Sequence, residues 1–154
     1  MTTHAEKRVV PYTSKQMFDL VADIAKYPEF LPWCAAARIR STHTEGDAQI
    51  VEGDLIISFK VFREKFGSLV VLREAEPAIE VSYLEGPFKH MNNHWKFKDL
   101  PQGGCEIDFL VDCEFKSRAL QALIGLVFDE AMRRVVAAFE ARAAQLYGTG
   151  QIVS

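Results

Sequence analysis

Residues 117–147 read SRALQALIGLVFDEAMRRVVAAFEARAAQLY, and this stretch decides the fold. It contains no proline, and its large apolar side chains recur every three or four residues, which is the spacing of one face of an α-helix. At about 1.5 Å per residue such a helix would be about 46 Å long, enough to cross a small domain. Ser117 can cap its start, and Gly148 can end it. Because the apolar face is broad and changes direction along the helix, we expect a large curved surface beneath it.

Two residues of the helix do not fit a plain apolar face. Gly125 lies near the edge of the face, although a glycine inside a helix costs about 1 kcal/mol relative to alanine. Either close packing or clearance for a ligand would explain it. Arg142 falls within the apolar arc, where it can extend to solvent or interact with the C-terminal end of the helix.

Composition favours one globular domain. The chain has 154 residues, of which 49% are hydrophobic and 25% charged, and its net charge is −3 at pH 7. This charge gives no broad reason to bind nucleic acid, so DNA is not expected as a partner. No apolar run approaches the roughly 20 residues of a spanning helix, and the polar start has no signal-type core, so we expect a cytoplasmic protein, with contact to a membrane surface left open. We assign residues 1–148 to a single domain and residues 149–154 to a disordered tail.

The segment before the sheet predicts a short strand and two short helices. Val9 and Val10 form the strand, and Thr13 with Gln16 forms a capping box for a helix that runs to about Ala25 or Tyr27. Residues 27–34 then contain two prolines among large apolar groups, so one tight helical turn is expected. This turn is either a plug that closes the core or the mouth of a ligand cavity.

Residues 35–115 change to a period of two. Alternation is clearest in residues 51–61 and 105–115, and weaker strands are predicted at about 66–74, 79–84 and 91–99. Turn-forming residues join successive strands, which favours an antiparallel meander. The prediction is therefore an α+β helix-grip fold, in which a curved antiparallel sheet of six to seven strands wraps the long C-terminal helix. A gap between the two layers would be an apolar pocket.

No motif for catalysis or metal binding accompanies this pattern. Three cysteines form no CxxC and no metal-like cluster, and His90 and His94 lack a nearby acidic residue to complete a metal set. There is also no nucleophile elbow and no phosphate-binding glycine loop. We therefore expect no catalytic residues, no metal, no cofactor and no enzyme activity, with Tyr83 and Asn93 as the inward polar candidates if a cyclase or dehydratase reaction did occur.

Inward apolar bulk is what the chain supplies instead. If a ligand lies between sheet and helix, we predict that twelve side chains line its site: Leu31, Trp33, Phe59, Phe62, Phe66, Phe88, Trp95, Leu120, Leu123, Ile124, Val127 and Phe128.

Three blocks of sequence resemble a known family. They are Tyr12 to Cys34, which includes Tyr-Pro-Glu-Phe-Leu-Pro-Trp-Cys, then Gly86-Pro87-Phe88 with Trp95-Lys96-Phe97, and finally Phe139-Glu140-Ala141-Arg142-Ala143 with Leu146-Tyr147-Gly148. Together they resemble the coenzyme-Q-binding family of START-like, polyketide-cyclase-like proteins. Val61 departs from the resemblance, because a glycine often stands there and a bulkier side chain would alter the curvature of the sheet.

The resemblance implies two functions. Mitochondrial members of the family are lipid chaperones that bind coenzyme Q and support respiration without catalysing a reaction. Some bacterial members are ribosome-association toxins, which bind the large ribosomal subunit and block subunit joining. The apolar excess and negative charge favour the first, so the leading hypothesis is binding of a polyprenyl quinone such as ubiquinone, and ribosome association is the alternative.

Overall fold

The computed structural model describes residues 2–59 and 62–148. Val61 and the tail at residues 149–154, about which the sequence made predictions, lie outside the described residues. Within the described ranges, ten elements follow one another: β1 (Thr2–Val10), α1 (Ser14–Ala22), a 3-10 helix (Ile24–Glu29), β2 (Cys34–Glu45), β3 (Ala48–Phe59), β4 (Phe62–Arg73), β5 (Ala78–Glu85), β6 (Phe88–Asp99), β7 (Cys105–Phe115) and α2 (Arg118–Tyr147).

The seven strands form one antiparallel sheet in the order β1-β7-β6-β5-β4-β3-β2. The predicted alternation is clear in β7, where the odd residues from Cys105 to Cys113 are all buried. A curved sheet packs against one long helix, so the predicted α+β helix-grip fold is confirmed.

The predicted first strand was too short. It was expected at Val9 and Val10, but β1 has nine residues and pairs with β7 from Thr2 opposite Cys113 to Val10 opposite Cys105. Most of the additional residues are polar, and β1 is an edge strand of the sheet. Backbone pairing with a distant strand therefore defines β1, and a hydrophobic pattern cannot reveal such pairing.

Capping defines both α-helices as predicted. The hydroxyl of Thr13 accepts a hydrogen bond from the Gln16 backbone N–H at 3.0 Å, while Gln16 Oε1 accepts one from the Thr13 backbone N–H at 2.9 Å. Ser117 Oγ accepts from the Leu120 N–H at 3.1 Å, and Gly148 ends α2 with a φ of +94°. The tight turn occurs earlier than expected, because α1 stops at Ala22 and the 3-10 helix includes Pro28.

Polar contacts fix α2 over the edge of the sheet. His4 of β1 is 6% exposed and lies between Asp129 of α2, at 2.8 Å from Nδ1, and Glu6, at 2.9 Å from Nε2. Arg8 Nη1 donates to Glu140 Oε1 at 2.9 Å, one further contact from β1 to α2. Two positions of one strand, four residues apart, therefore hold the helix at separate points along its length.

The alternation predicted that the outer face of the sheet is exposed to solvent throughout, and the structure differs at one position. Asp54 of β3 is only 5% exposed, because Arg40 of β2 lies over it and donates from Nε to Asp54 Oδ2 at 2.8 Å. Arg40 also reaches Glu85 of β5. Gly67 of β4 lies beneath this guanidinium, and a Cβ there would be 2.8 Å from Arg40 Nη2. The prediction failed at Asp54 because a long side chain from the neighbouring strand can cover an outward carboxylate.

Candidate functional site

A cavity of about 270 Å³ lies between the concave face of the sheet and α2. Its walls are the inward side chains of β3 to β7, Ile24 and Tyr27 of the 3-10 helix, residues 31–34 and the middle of α2. Aromatic rings pack together in the wall near the 3-10 helix. The ring of Phe139 contacts those of Trp95, Tyr27 and Phe30 at centroid distances of 5.1, 5.4 and 5.2 Å. The expected gap between helix and sheet is therefore present.

Most of the predicted lining residues meet around this cavity. Eight of them line it: Leu31, Trp33, Phe59, Phe66, Phe88, Trp95, Ile124 and Phe128. Phe62 and Leu120 line a smaller adjoining space of about 60 Å³. Whether these side chains contact a ligand stays a prediction.

Leu123 and Val127 are corrections to the predicted lining. Both lie outside the two spaces, and Val127 is 39% exposed. Each precedes a lining residue by one position, which turns its side chain by about 100° around the helix. The predicted apolar arc was too wide, because the first half of α2 presents only a narrow stripe to the sheet.

Residues 31–33 form the partly exposed end of the cavity. Leu31, Pro32 and Trp33 all line it and are only half-buried. Trp33 has a φ of +63°, which is unfavourable for a residue with a bulky side chain. Its carbonyl accepts a hydrogen bond from the Ser58 N–H at 2.8 Å, and its indole packs on Phe59 at 5.6 Å. This geometry supports the mouth interpretation of the segment.

Arg142 ties the 3-10 helix to α2. Its Nη2 donates to Glu29 Oε1 at 2.7 Å, and its guanidinium carbon lies 5.2 Å from the centre of the Phe30 ring. The hydrogen bond from the Arg142 guanidinium lowers the pKa of the Glu29 carboxyl below its usual value. Arg142 therefore fixes the segment before the mouth, which explains a cation within the apolar arc.

The polar side chains in the cavity wall mostly bond to the protein itself. The Tyr27 hydroxyl donates to the Val21 carbonyl, and burial raises the pKa of this phenol above its usual range. Asn93 Nδ2 donates to the Leu110 carbonyl at 2.8 Å, and its Oδ1 accepts from Trp95 Nε1 at 3.2 Å. Asn93 thus orients the indole of Trp95.

Sequence reasoning missed Ser68, which also lines the cavity. The signal was available, since Ser68 lies between Phe66 and Val70 in the alternation of β4 and shares their inward face. Tyr83, the other polar residue that was predicted to face inward, does not line the cavity, and its hydroxyl accepts from the Phe88 N–H at 3.1 Å.

Charged groups are missing from the described part of the lining, which contains no Asp, Glu, Lys, Arg or His. The thiol of Cys34 is there, but burial raises its pKa, as it does for Cys113. Within residues 2–59 and 62–148, no group of three or more His, Cys, Asp or Glu is arranged to hold a metal ion. The chemistry of this wall suits the burial of an apolar molecule more than proton transfer.

No helix in the described ranges is both long and apolar enough to cross a membrane.

Comparison with known proteins gives matches that cover most of this chain. Residues 10–140 match the family model described as "Polyketide cyclase / dehydrase and lipid transport". The ribosome association toxin RatA of Rickettsia prowazekii is 36% identical over 150 residues, which are 95% of this chain and 99% of the relative. The mitochondrial coenzyme Q-binding protein COQ10 homolog B of Xenopus laevis is 28% identical over 152 residues, 97% of this chain but 61% of the relative. The solution structure of an 18 kDa protein from Caulobacter crescentus has a TM-score of 0.80 and 36% identity, covering 97% of this chain and 100% of that one.

Proposed function

The chain belongs to the polyketide cyclase / dehydrase and lipid transport family, and we propose that it associates with the ribosome. The observation that carries the proposal is the similarity to a ribosome association toxin over almost the entire length of both chains. The family resemblance narrows the target to the large subunit, with interference in subunit joining as the consequence. The proposal places the protein in the cytoplasm, where ribosomes are.

Charge bears on how such a contact would form. The net charge of −3 gives no overall attraction to ribosomal RNA, so a local surface has to supply the affinity. We therefore expect association to weaken less with added salt than it does for a strongly basic RNA-binding protein.

Sedimentation tests the proposal directly. Tagged protein in a cell lysate should move with the large subunit in a sucrose gradient, and its overproduction should reduce the peak of joined ribosomes. Isolated small subunits mixed with the protein are the control and should leave it at the top of the gradient. Protein that stays at the top with large subunits too, together with an unchanged ribosome profile on overproduction, would contradict the proposal.

A second candidate function is non-enzymatic binding of a hydrophobic ligand, and the cavity is the observation that favours it. Its volume of about 270 Å³ lies just below the usual range for small-molecule pockets, about 300–1,000 Å³. A polyprenyl quinone such as ubiquinone would place its ring and a few further carbons there, and burial would contribute about 25 cal/mol per Å² of apolar surface. The rest of the tail would pass Leu31 and Trp33 and extend towards a membrane or partner. By holding a respiratory quinone in this way, the protein would support respiration.

Two neighbouring valines provide matched variants for this second function. Val70 lines the cavity and is 4% exposed, whereas Val71 lies on the opposite face of β4. Protein purified under native conditions should release a quinone into organic solvent, detected by mass spectrometry. Val70→Phe should lower the amount by filling the space, and Val71→Phe should not. If the wild-type protein carries no quinone and fails to bind added ubiquinone, quinone binding is refuted.

The two candidate functions are separable, because ribosome sedimentation can be repeated with the cavity saturated by added ubiquinone. An unchanged gradient would mean that the two activities are independent.

A further inference from the structure

Ser68 is the polar lining residue whose side chain the protein leaves without a partner. It is 5% exposed and lines the cavity between Phe66 and Val70. Its hydroxyl makes no hydrogen bond to any described residue, in contrast to the Tyr27 hydroxyl and the Asn93 amide in the same wall. The hydroxyl borders the open space of the cavity and not packed protein atoms, so its partner is a water or a polar atom of a bound molecule.

Structural need does not explain the hydroxyl. The inward neighbours of Ser68 along β4 are apolar, and an alanine or valine there would extend the same apolar surface without a hydroxyl. A hydroxyl that faces an otherwise apolar cavity is suited to meeting a polar atom of a bound molecule.

We propose that Ser68 recognises the polar head of the cavity's ligand, by donating a hydrogen bond from its hydroxyl to a carbonyl oxygen on a compact apolar ring. The inference rests on the proposed ligand binding and adds to it the residue that recognises the ligand's ring. A carbonyl-bearing ring is favoured over a bare hydrocarbon of the same shape, since only the former satisfies the buried hydroxyl.

Strand register gives the ligand a direction. At the partly exposed end, Ile57 pairs with both Cys34 of β2 and Glu64 of β4. Ser68 is four residues further along β4, which is about 13 Å at 3.3 Å per residue. A carbonyl at Ser68 therefore lies deep in the cavity, and any tail on the ring extends back towards residues 31–33.

Duroquinone and durene test the proposal, because they have the same methylated ring and differ by two carbonyl oxygens. Trp33 and Trp95 line the cavity, so quenching of their fluorescence reports duroquinone binding, and recovery on adding durene reports competition. Ser68→Ala should weaken duroquinone binding about 3- to 10-fold, the usual net effect of one hydrogen bond. Durene binding should be unchanged.

Two further variants control the experiment. Ser68→Thr keeps the hydroxyl and should retain duroquinone affinity. Ser82→Ala makes the same change at an exposed position of β5, outside the cavity, and should alter neither affinity. In the ligand-free protein, Ser68→Ala should melt at or above the wild-type temperature, because the hydroxyl has no partner to lose.

The outcomes separate the two proposals. If both compounds bind the wild type and Ser68→Ala changes neither affinity, or both equally, Ser68 does not recognise a carbonyl. A melting temperature several degrees lower for Ser68→Ala would also overturn the inference, since it would assign the hydroxyl a structural role. If the wild type binds neither compound, the proposed ligand binding itself fails.

Discussion

Replacing Gly125 by alanine should stabilise the protein without changing its affinity for a ligand. Gly125 lies in the interior of α2 on the exposed side, and a Cβ built there meets only Thr2 Cγ2, at 3.9 Å, which is an ordinary contact. Alanine is better than glycine by about 0.8–1.0 kcal/mol in a helix interior. The free energy of unfolding should rise by about that amount, and the melting temperature by about 2–4 °C for a chain of this size.

The structure supports neither of the two explanations that the sequence left open for Gly125, and the same variant tests this. Gly125 is not among the residues that line the cavity, and it packs closely against none of the described residues, so neither clearance nor close packing applies. Urea unfolding followed by circular dichroism gives the stability, provided the denaturant dependence is unchanged. Fluorescence titration with duroquinone gives the affinity, which should equal that of the wild type.

Gly86→Ala is the matched control with the opposite expectation. Gly86 has a φ of +139°, and a Cβ there would be 2.6 Å from Phe66 Cβ and 2.8 Å from the Lys65 carbonyl oxygen. This variant should lose at least about 1–3 kcal/mol. If Gly125→Ala gave no gain in stability, or weakened duroquinone binding, the placement of Gly125 on the outer side of α2 would be refuted.

Three further predictions concern a carboxylate, a ring and two thiols. A hydrogen bond from Arg40 lowers the pKa of Asp54 below its unfolded value, so Asp54 stabilises the fold above about pH 4 and loses this contribution as the pH falls through its folded pKa. Asp54→Asn should therefore be less stable than wild type at pH 7, and urea unfolding should show the difference shrinking in acid; a constant difference would exclude the ion pair as the cause. Phe139→Ala should cost about 3–5 kcal/mol by urea unfolding, because Phe139 is 2% exposed, whereas a loss below about 1 kcal/mol would contradict its central position. Burial raises the pKa of Cys105 to about 11 and also that of Cys113, so both thiols should react with Ellman's reagent only on unfolding. Because Cys34 is a third thiol, immediate reaction of more than one thiol in the native protein would show that Cys105 or Cys113 is accessible.

The fold could be predicted because its longest elements carry strong periodic patterns. The α2 helix has both caps and a repeating apolar face, and β7 alternates over its whole length. The strand β1 was underestimated because its partner is more than 90 residues away, and nothing local marks that pairing. Asp54 was misplaced for a similar reason, since the covering side chain of Arg40 comes from another strand.

The sequence predicted which faces of the strands and of α2 enclose the candidate site, but not every side chain that lines it. Alternation in the strands and helical spacing in α2 correctly predicted that Phe66, Trp95 and Phe128 line one cavity. Leu123 and Val127 were assigned to it because apolar character alone does not fix the width of a helical contact. The alternation of β4 placed Ser68 on the inward face, but only three-dimensional contacts show that its hydroxyl has no partner among the described residues.

The pairing of β1 with β7 has a consequence for the order in which the chain can fold. Strands β2 to β7 each pair with a strand adjacent in sequence, so they can assemble progressively as a nascent polypeptide emerges. The first strand has to wait, because its partner is complete only at Phe115, and α2 is made later still. Contacts between such distant residues slow folding, and until they form the inner apolar face of the sheet stays uncovered. Protection from aggregation during synthesis should therefore matter most between the emergence of β7 and the docking of α2.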